Sequence, residues 1–158
     1  MFKHLLLCTH GSDGARRAER FVFDKMTAYP DLKVSVLSVL DEDWRGMTGD
    51  DWLNSSKTHA AFLDHVEEQV SGEIKEEWDR IQSDHPMSIN AEFYQKTGGI
   101  AQTITDVAGE LQCDAIVIGA FQKQKGFLPG KSRAKGLKDT LQNKTLHPLL
   151  PCPLIIIP

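Results

Sequence analysis

Short, continuously apolar runs that alternate with amphipathic segments are the feature that most constrains the fold of this chain. The clearest runs are "AIVIG" at 115–119 and "LIIIP" at 154–158, and both are rich in β-branched residues. Runs of this kind are typical of strands that other elements cover on both faces, as in a parallel sheet. We therefore predict an α/β domain in which strands and helices take turns.

The predicted strands are the short apolar runs, and the predicted helices lie between them. The strands span Lys3–Thr9, Lys33–Leu40, Ser88–Gln95, Ala115–Gly119 and Leu154–Ile157. In the helices, apolar residues recur at spacings of three and four. These stripes cover Ala15–Met26, Phe62–Ile81, Ile100–Leu111 and Leu137–Thr145. The resulting order, β-α-β-α-β-α-β-α-β, is the pattern of a parallel sheet.

Length and charge limit the classes of protein to which the chain can belong. Its 158 residues, 41% of them hydrophobic, suffice for one substantial core and are short for two, so we expect a single domain over residues 1–158. The formal net charge of −4 argues against general affinity for nucleic acid or an anionic membrane, since both need a basic surface. No signal-peptide core and no membrane-spanning segment is evident. We expect a soluble cytoplasmic protein.

Residues that could perform catalysis or bind a metal form no recognisable pattern. Cys8, Cys113 and Cys152 lie in or beside apolar segments, which indicates reduced, packed thiols. The histidines show no metal-ligand spacing. Ser12 has His10 two residues away, but it lacks a glycine-x-serine-x-glycine turn and is more typical of a helix N-cap. We predict no catalytic residue and no metal site.

Three polar segments follow predicted strands. The turn "THGSDG", residues 9–14, joins the first strand to the first helix. Residues 41–52, "DEDWRGMTGDDW", hold five acids and two tryptophans, whereas residues 120–138, "AFQKQKGFLPGKSRAKGLK", hold six lysines or arginines and no acid. In open parallel sheets, ligands bind outside the carboxyl ends of the strands, where the strand order reverses. We therefore expect the binding region of the protein at this edge.

Four segments, taken in order, resemble the universal stress protein family over nearly the whole chain. They are "THGSDG", "LSVLD", "GGIAQTITDVAGELQCDAIVIGA" and the closing "PCPLIIIP". The resemblance implies a doubly wound sheet of five parallel strands in the order 3-2-1-4-5, with helices on both faces. It also implies a cytoplasmic, stress-induced homodimer. The apolar strand in "LIIIP" gives the dimer one physical support, because an unpaired apolar edge invites association.

The family divides into members that bind ATP and members that do not. In the binding type, an aspartate followed by Gly-Ser ends the first strand, and an apolar residue near the end of the second strand packs on adenine. A loop after the fourth strand carries glycine, two residues, glycine, nine residues, then glycine with serine or threonine. Carried over to this sequence, the resemblance implies a site for an adenine nucleotide, ATP with Mg²⁺ or AMP, made of Thr9, His10, Gly11, Ser12, Val39, Leu40, Gly119, Ala120, Gly126, Gly130, Lys131 and Ser132.

The match to the binding type is partial. His10 stands where the aspartate is expected, Gln122 takes the place of the second glycine, and Ser132 that of the third. The basic residues of the loop, together with "GFLPGKS" at 126–132, could compensate around a triphosphate. Three functions therefore stay open. The chain is a non-enzymatic stress-response module that binds an adenine nucleotide, a nucleotide-independent dimeric interaction protein, or a weak nucleotide hydrolase.

Overall fold

The computed structural model describes residues 1–9, 13–41, 56–120 and 150–158, and for 41 and 56–67 it describes the backbone alone. Its elements are β1 (His4–Cys8), α1 (Asp13–Ala28), β2 (Lys33–Asp41), α2 (Ser56–Asp84), a 3₁₀ helix (Pro86–Asn90), β3 (Glu92–Gly98), α3 (Ile100–Glu110), β4 (Ala115–Gly119) and β5 (Leu154–Ile157). The predicted fourth helix, Leu137–Thr145, lies outside the described residues.

The five strands form one parallel sheet in the order β3-β2-β1-β4-β5, which confirms the order that the resemblance implies. The central strand is β1, in which Leu5 pairs with Val34 of β2 on one side and with Ala115 of β4 on the other. The edge strands are β3 and β5, and Ile118 of β4 pairs with Ile156 of β5. The predicted fold class, a doubly wound α/β sheet, is confirmed.

The third strand begins later than the sequence predicts. The predicted strand Ser88–Gln95 starts inside the 3₁₀ helix Pro86–Asn90, and the observed strand runs over Glu92–Gly98. Proline suits the first turn of a helix because its missing N–H would have no partner there. The Ser88 N–H then donates to the His85 carbonyl at 2.9 Å, which is a turn bond rather than a ladder bond. At its other end the strand continues past the prediction because it pairs with β2 as far as Gly98.

Two apolar clusters cover the two faces of the sheet. On one face, α1 and α2 pack against the strands through buried side chains that include Val22, Phe23 and Ile81. On the other face, α3 packs through Ile104 and Val107. The inner strands β1, β2 and β4 are therefore buried on both sides, as the continuous apolar run of β4 predicts.

The two edges of the sheet differ in polarity. In β3 the side chains of Glu92, Gln95 and Lys96 are exposed. Glu92 also forms an ion pair with Lys33 of the neighbouring strand at 3.4 Å. In β5 all four side chains, Leu154–Ile157, are apolar and partly buried. One edge is thus charged and the other is apolar.

Asp114 fastens the beginning of β4 to the beginning of β1. Its Oδ2 accepts hydrogen bonds from the backbone N–H groups of Lys3 and His4, at 2.6 and 2.8 Å. Its own N–H donates to the His4 carbonyl at 2.8 Å. The two backbone hydrogen bonds to the carboxylate hold the pKa of Asp114 below its ordinary value. The fold therefore favours the ionised form of this side chain.

We expect the contribution of Asp114 to stability to depend on pH. Because its pKa is lower in the folded chain than in the unfolded one, this contribution is fully present above the ordinary value of 3.8 and is lost as the pH falls through the folded value. Asp114→Ala should lower the urea midpoint at pH 7, and its deficit should shrink at pH 3. The exposed Asp31→Ala is the control and should show no such change. An equal deficit for Asp114→Ala at both pH values would contradict the expectation.

Candidate functional site

The candidate site lies at the carboxyl edge of the sheet, between β1 and β4. From β1 the chain proceeds to β2 on one side, whereas β4 and β5 lie on the other, so the strand order reverses between β1 and β4. Ligands of open α/β sheets bind at such a reversal. The predicted site residues within the described part of the chain all lie at the ends of β1, β2 or β4; they are Thr9, Val39, Leu40, Gly119 and Ala120.

Seven predicted site residues lie outside the described residues, namely His10, Gly11, Ser12, Gly126, Gly130, Lys131 and Ser132. The acidic segment after Asp41 and the basic segment after Ala120 lie outside them as well. The role of these residues stays a prediction from the sequence.

The backbone of α1 crosses the end of β4 at this edge without any side chain between them. A Cβ added to Gly14 would collide with the carbonyl oxygen of Ala120, and a Cβ added to Gly119 would collide with the carbonyl group of Gly14. The N–H of Ala120 donates to the Ile157 carbonyl at 2.7 Å, which continues the pairing of β4 with β5. The first turn of α1 is thus held directly against the point where the basic segment begins.

This crossing gives Gly119 a reason to be glycine that does not involve a ligand. In the sequence, Gly119 matches the first glycine of the family's phosphate-binding loop. In the structure, any larger residue there would push α1 away from the sheet. The presence of Gly119 is therefore weaker evidence for a phosphate loop than the motif alone indicates.

Thr9 directly follows β1 and is 5% exposed. Its N–H donates to the Leu37 carbonyl at 3.0 Å, so its backbone continues the pairing with β2. Its hydroxyl donates inward to Oε1 of Glu19 at 2.6 Å. The hydroxyl hydrogen is therefore used within the protein and does not face the edge.

Glu19 of α1 carries a carboxylate with no exposed surface, beneath the carboxyl edge. Its Oε2 accepts a hydrogen bond from Nη2 of Arg80 on α2 at 2.7 Å, opposite the bond from Thr9. Arg80 also donates to Glu77 and to Asp84, two acids of its own helix. The hydrogen bonds to Glu77 and Glu19 raise the pKa of the Arg80 guanidinium, so it remains charged beside the buried carboxylate.

Val39 and Leu40 end β2 on opposite faces of the sheet, because successive side chains of a strand alternate. Val39 packs against the α3 cluster and keeps some accessible surface, whereas Leu40 is 7% exposed. A single flat base cannot lie on both side chains. Val39 is the better candidate for the apolar contact because more of its surface can be reached.

The cysteine thiols, which are free, suit packing rather than reaction. Burial raises the pKa of Cys8 far above its ordinary value and raises that of Cys113 to about 11. Burial also raises the pKa of Cys152. Because the thiolate is the reactive form, none of the three is poised as a nucleophile at neutral pH. Cys8, the neighbour of Thr9, packs into the α3 cluster, as the sequence predicts.

Within residues 1–9, 13–41, 56–120 and 150–158, no three histidine, cysteine, aspartate or glutamate side chains are placed to hold a metal ion. No helix in the same part of the chain is long and apolar enough to cross a membrane. The described part of the site consists of closely packed backbone, apolar side chains, the Thr9 hydroxyl and an ion pair in which the carboxylate is buried and the guanidinium is partly exposed.

Sequence reasoning missed Gly14, Glu19 and Arg80. The signal for Glu19 is its position in the stripe of α1, four residues after Ala15 and three before Val22, both of which are buried. A charge in a buried stripe needs a partner, so this position could have indicated an ion pair. No sequence pattern could have indicated Arg80, because it lies 61 positions further along the chain.

Comparison with known proteins identifies a family. A family model described as the universal stress protein family matches residues 1–130 of the chain. A search of the curated proteins finds no match.

Several solved structures share the fold. The universal stress protein UspA from Lactobacillus plantarum is 16% identical with a TM-score of 0.70, and the match covers 99% of this chain and 97% of that one. A universal stress protein family protein from Arabidopsis thaliana with AMP bound is 14% identical with a TM-score of 0.57, covering 98% and 90%. A universal stress protein in complex with cAMP is 13% identical with a TM-score of 0.53, covering 99% and 97%. At these identities the likeness shows the fold alone.

We expect Gly14→Ala to destabilise the protein by about 1–3 kcal/mol, because the new Cβ forces the backbones of α1 and β4 apart. The matched control is Gly72→Ala in α2, where an added Cβ meets nothing within 4 Å. This control should stabilise by about 0.5–1 kcal/mol, because alanine loses less conformational entropy in a helix than glycine. Urea unfolding measures the change in the free energy of unfolding for both variants. A gain for Gly14→Ala as large as that for Gly72→Ala would show that the helix does not touch the strand.

Proposed function

The chain belongs to the universal stress protein family, and we propose that it is a non-enzymatic, cytoplasmic stress-response module that binds an adenine nucleotide at the carboxyl edge of its sheet. Two structures that share its fold contain AMP or cAMP. These ligands define the class of molecule to be tested on this chain. The proposed site comprises the turn 9–12, Val39 and the segment 119–132.

The observation that carries the proposal is the crossing of α1 and β4. It places the first turn of α1 directly beside the end of β4. The basic segment continues from that point and supplies Lys123, Lys125, Lys131, Arg133 and Lys135. A helix N-terminus and a cluster of cations both favour a phosphate group.

The energies show why both parts are needed. Micromolar affinity corresponds to about 8 kcal/mol of binding free energy. A charge at a helix N-terminus contributes about 0.3–1 kcal/mol, and about 2 kcal/mol in favourable geometry. The remainder must come from the basic segment and from the contact between Val39 and the base. Mg²⁺ would enter with a triphosphate, since its hard oxygen ligands include the phosphates themselves.

A nucleotide-independent interaction protein is the second candidate. It is favoured by Gln122, which stands in place of a motif glycine, and by His10, which stands in place of the aspartate. The packing role of Gly119 is compatible with it, because the crossing requires this glycine with or without a ligand. Hydrolysis is the third candidate, and release of phosphate from ATP above the uncatalysed rate would support it.

We expect titration calorimetry to give micromolar binding of ATP with Mg²⁺, or of AMP, to the nucleotide-free protein. Lys131→Glu should weaken ATP binding by about tenfold or more because it replaces an attraction to phosphate by a repulsion. Gly130→Val should also weaken it, by blocking the approach of the backbone to the phosphates. The exposed Gly72→Ala is the control and should bind normally. No heat with either nucleotide, and no shift in melting temperature, would reject the proposal in favour of the second candidate.

We also propose that the protein is a homodimer formed through β5. Its four apolar side chains lie along a strand that has no outer neighbour among the described residues, and an edge of this kind pairs readily with another. Ile156→Lys should convert a dimer into a monomer in sedimentation experiments. Gln95→Lys, on the opposite and already polar edge, should leave the mass unchanged. A monomeric unsubstituted protein, or a dimer that survives Ile156→Lys, would exclude this interface.

A further inference from the structure

A line of polar groups runs from α2 through α1 to the end of β1. Arg80 of α2 donates to Oε2 of Glu19 at 2.7 Å, and Thr9 donates to Oε1 of the same carboxylate at 2.6 Å. Glu19 is fully buried, and Thr9 is nearly so. We call these three residues the polar relay. Through these hydrogen bonds, α2 is connected to the carboxyl edge by way of Glu19 on α1.

Hydrogen bonds within α2 hold the Arg80 guanidinium in the orientation in which it contacts Glu19. Arg80 uses Nε to donate to Glu77 at 2.9 Å and Nη1 to donate to Asp84 at 2.8 Å, and both acids belong to its own helix. The planar guanidinium is therefore oriented by α2 itself, with Nη2 donating both to Glu77 and to Glu19. A shift of α2 would move this donor away from the buried carboxylate.

A contribution to folding stability is a poor explanation for the presence of the polar relay. Taking the Glu19 carboxylate out of water costs several kcal/mol, although Arg80 keeps part of its surface exposed, and well-packed apolar residues often replace such a pair without loss. Buried ion pairs are better attested as devices that select one arrangement of the elements they join. The arrangement at issue here is that of α2, α1 and Thr9.

We propose that Glu19 is a positioning residue, which fixes Thr9 at the carboxyl edge only while α2 is docked through Arg80. Through Thr9, the docking of α2 then sets the affinity of the edge for its ligand. The statement about affinity rests on the nucleotide binding proposed above. The statement that Glu19 positions Thr9 concerns the free protein and is independent of nucleotide binding.

The test compares Thr9→Val and Arg80→Met, which break the relay at its two ends, with Ile81→Val. The control lies next to Arg80 on α2, is fully buried in the α1 and α2 cluster, and leaves the relay intact. Ile81→Val should lower the free energy of unfolding through lost packing and leave the hydrogen bonds of the relay unchanged. All variants are made in the full chain.

The first measurement is hydrogen exchange of the Thr9 amide, followed by nuclear magnetic resonance in the free protein. This amide donates to the Leu37 carbonyl. Its exchange rate relative to that of Leu6 should rise about tenfold in Arg80→Met, because Glu19 loses its charged hydrogen bond from Arg80 and no longer holds Thr9 in place. Ile81→Val should leave the ratio unchanged. An unchanged ratio in Arg80→Met would overturn the proposal.

The second measurement is the affinity for ATP with Mg²⁺. Thr9→Val and Arg80→Met should each weaken it about tenfold, and the double variant should be no weaker than either, since both break one relay. Effects that multiply, or an Arg80→Met variant that binds like the unsubstituted protein, would overturn the proposal. If the unsubstituted protein binds neither ATP nor AMP, the proposed function fails, and the exchange measurement alone decides the role of Glu19.

Discussion

Direct backbone contact between α1 and the end of β4 is the constraint on which the rest of this structure depends. With no side chain on Gly14 or Gly119, the helix starts in contact with the central part of the sheet. From Gly14 to Glu19 is five residues, or about 7.5 Å along the helix axis. That distance places the Glu19 carboxylate beneath the edge and within reach of Thr9. The position of α2 follows in turn, because Arg80 and Ile81 pack against α1.

Most of the sheet was predictable because short apolar segments of the sequence mark the positions of its strands. The runs "AIVIG" and "LIII" are apolar throughout and "HLLLC" is apolar after His4, and a strand buried on both faces needs such a run. The third strand was predicted at the wrong place because its sequence, "EFYQKTG", is mostly polar and lies at the edge. The apolar residues just before it belong to the 3₁₀ helix. Edge strands need less burial, so the hydrophobic pattern locates them poorly.

The candidate site could be predicted as a location but only partly as a set of contacts. Parallel topology brings Thr9, Val39 and Gly119 to one edge, and that consequence can be drawn from strand order alone. The ion pair between Glu19 and Arg80 could not be predicted from strand order, because it joins side chains of two helices that are distant in sequence. The crossing of Gly14 and Gly119 was hidden for a different reason. Gly119 fits a phosphate-binding motif, and that interpretation concealed its role in packing, whereas Gly14 was not singled out by any motif.

The unequal edges of the sheet limit how copies of this chain can add to one another. At β3 the exposed Glu92, Gln95 and Lys96 would have to lose water before another strand could pair there. At β5 the apolar Leu154–Ile157 present no such cost. A sheet with two permissive edges could grow into a fibre, one strand against the next. With a single permissive edge in the described part of the chain, growth would stop as soon as that edge is covered.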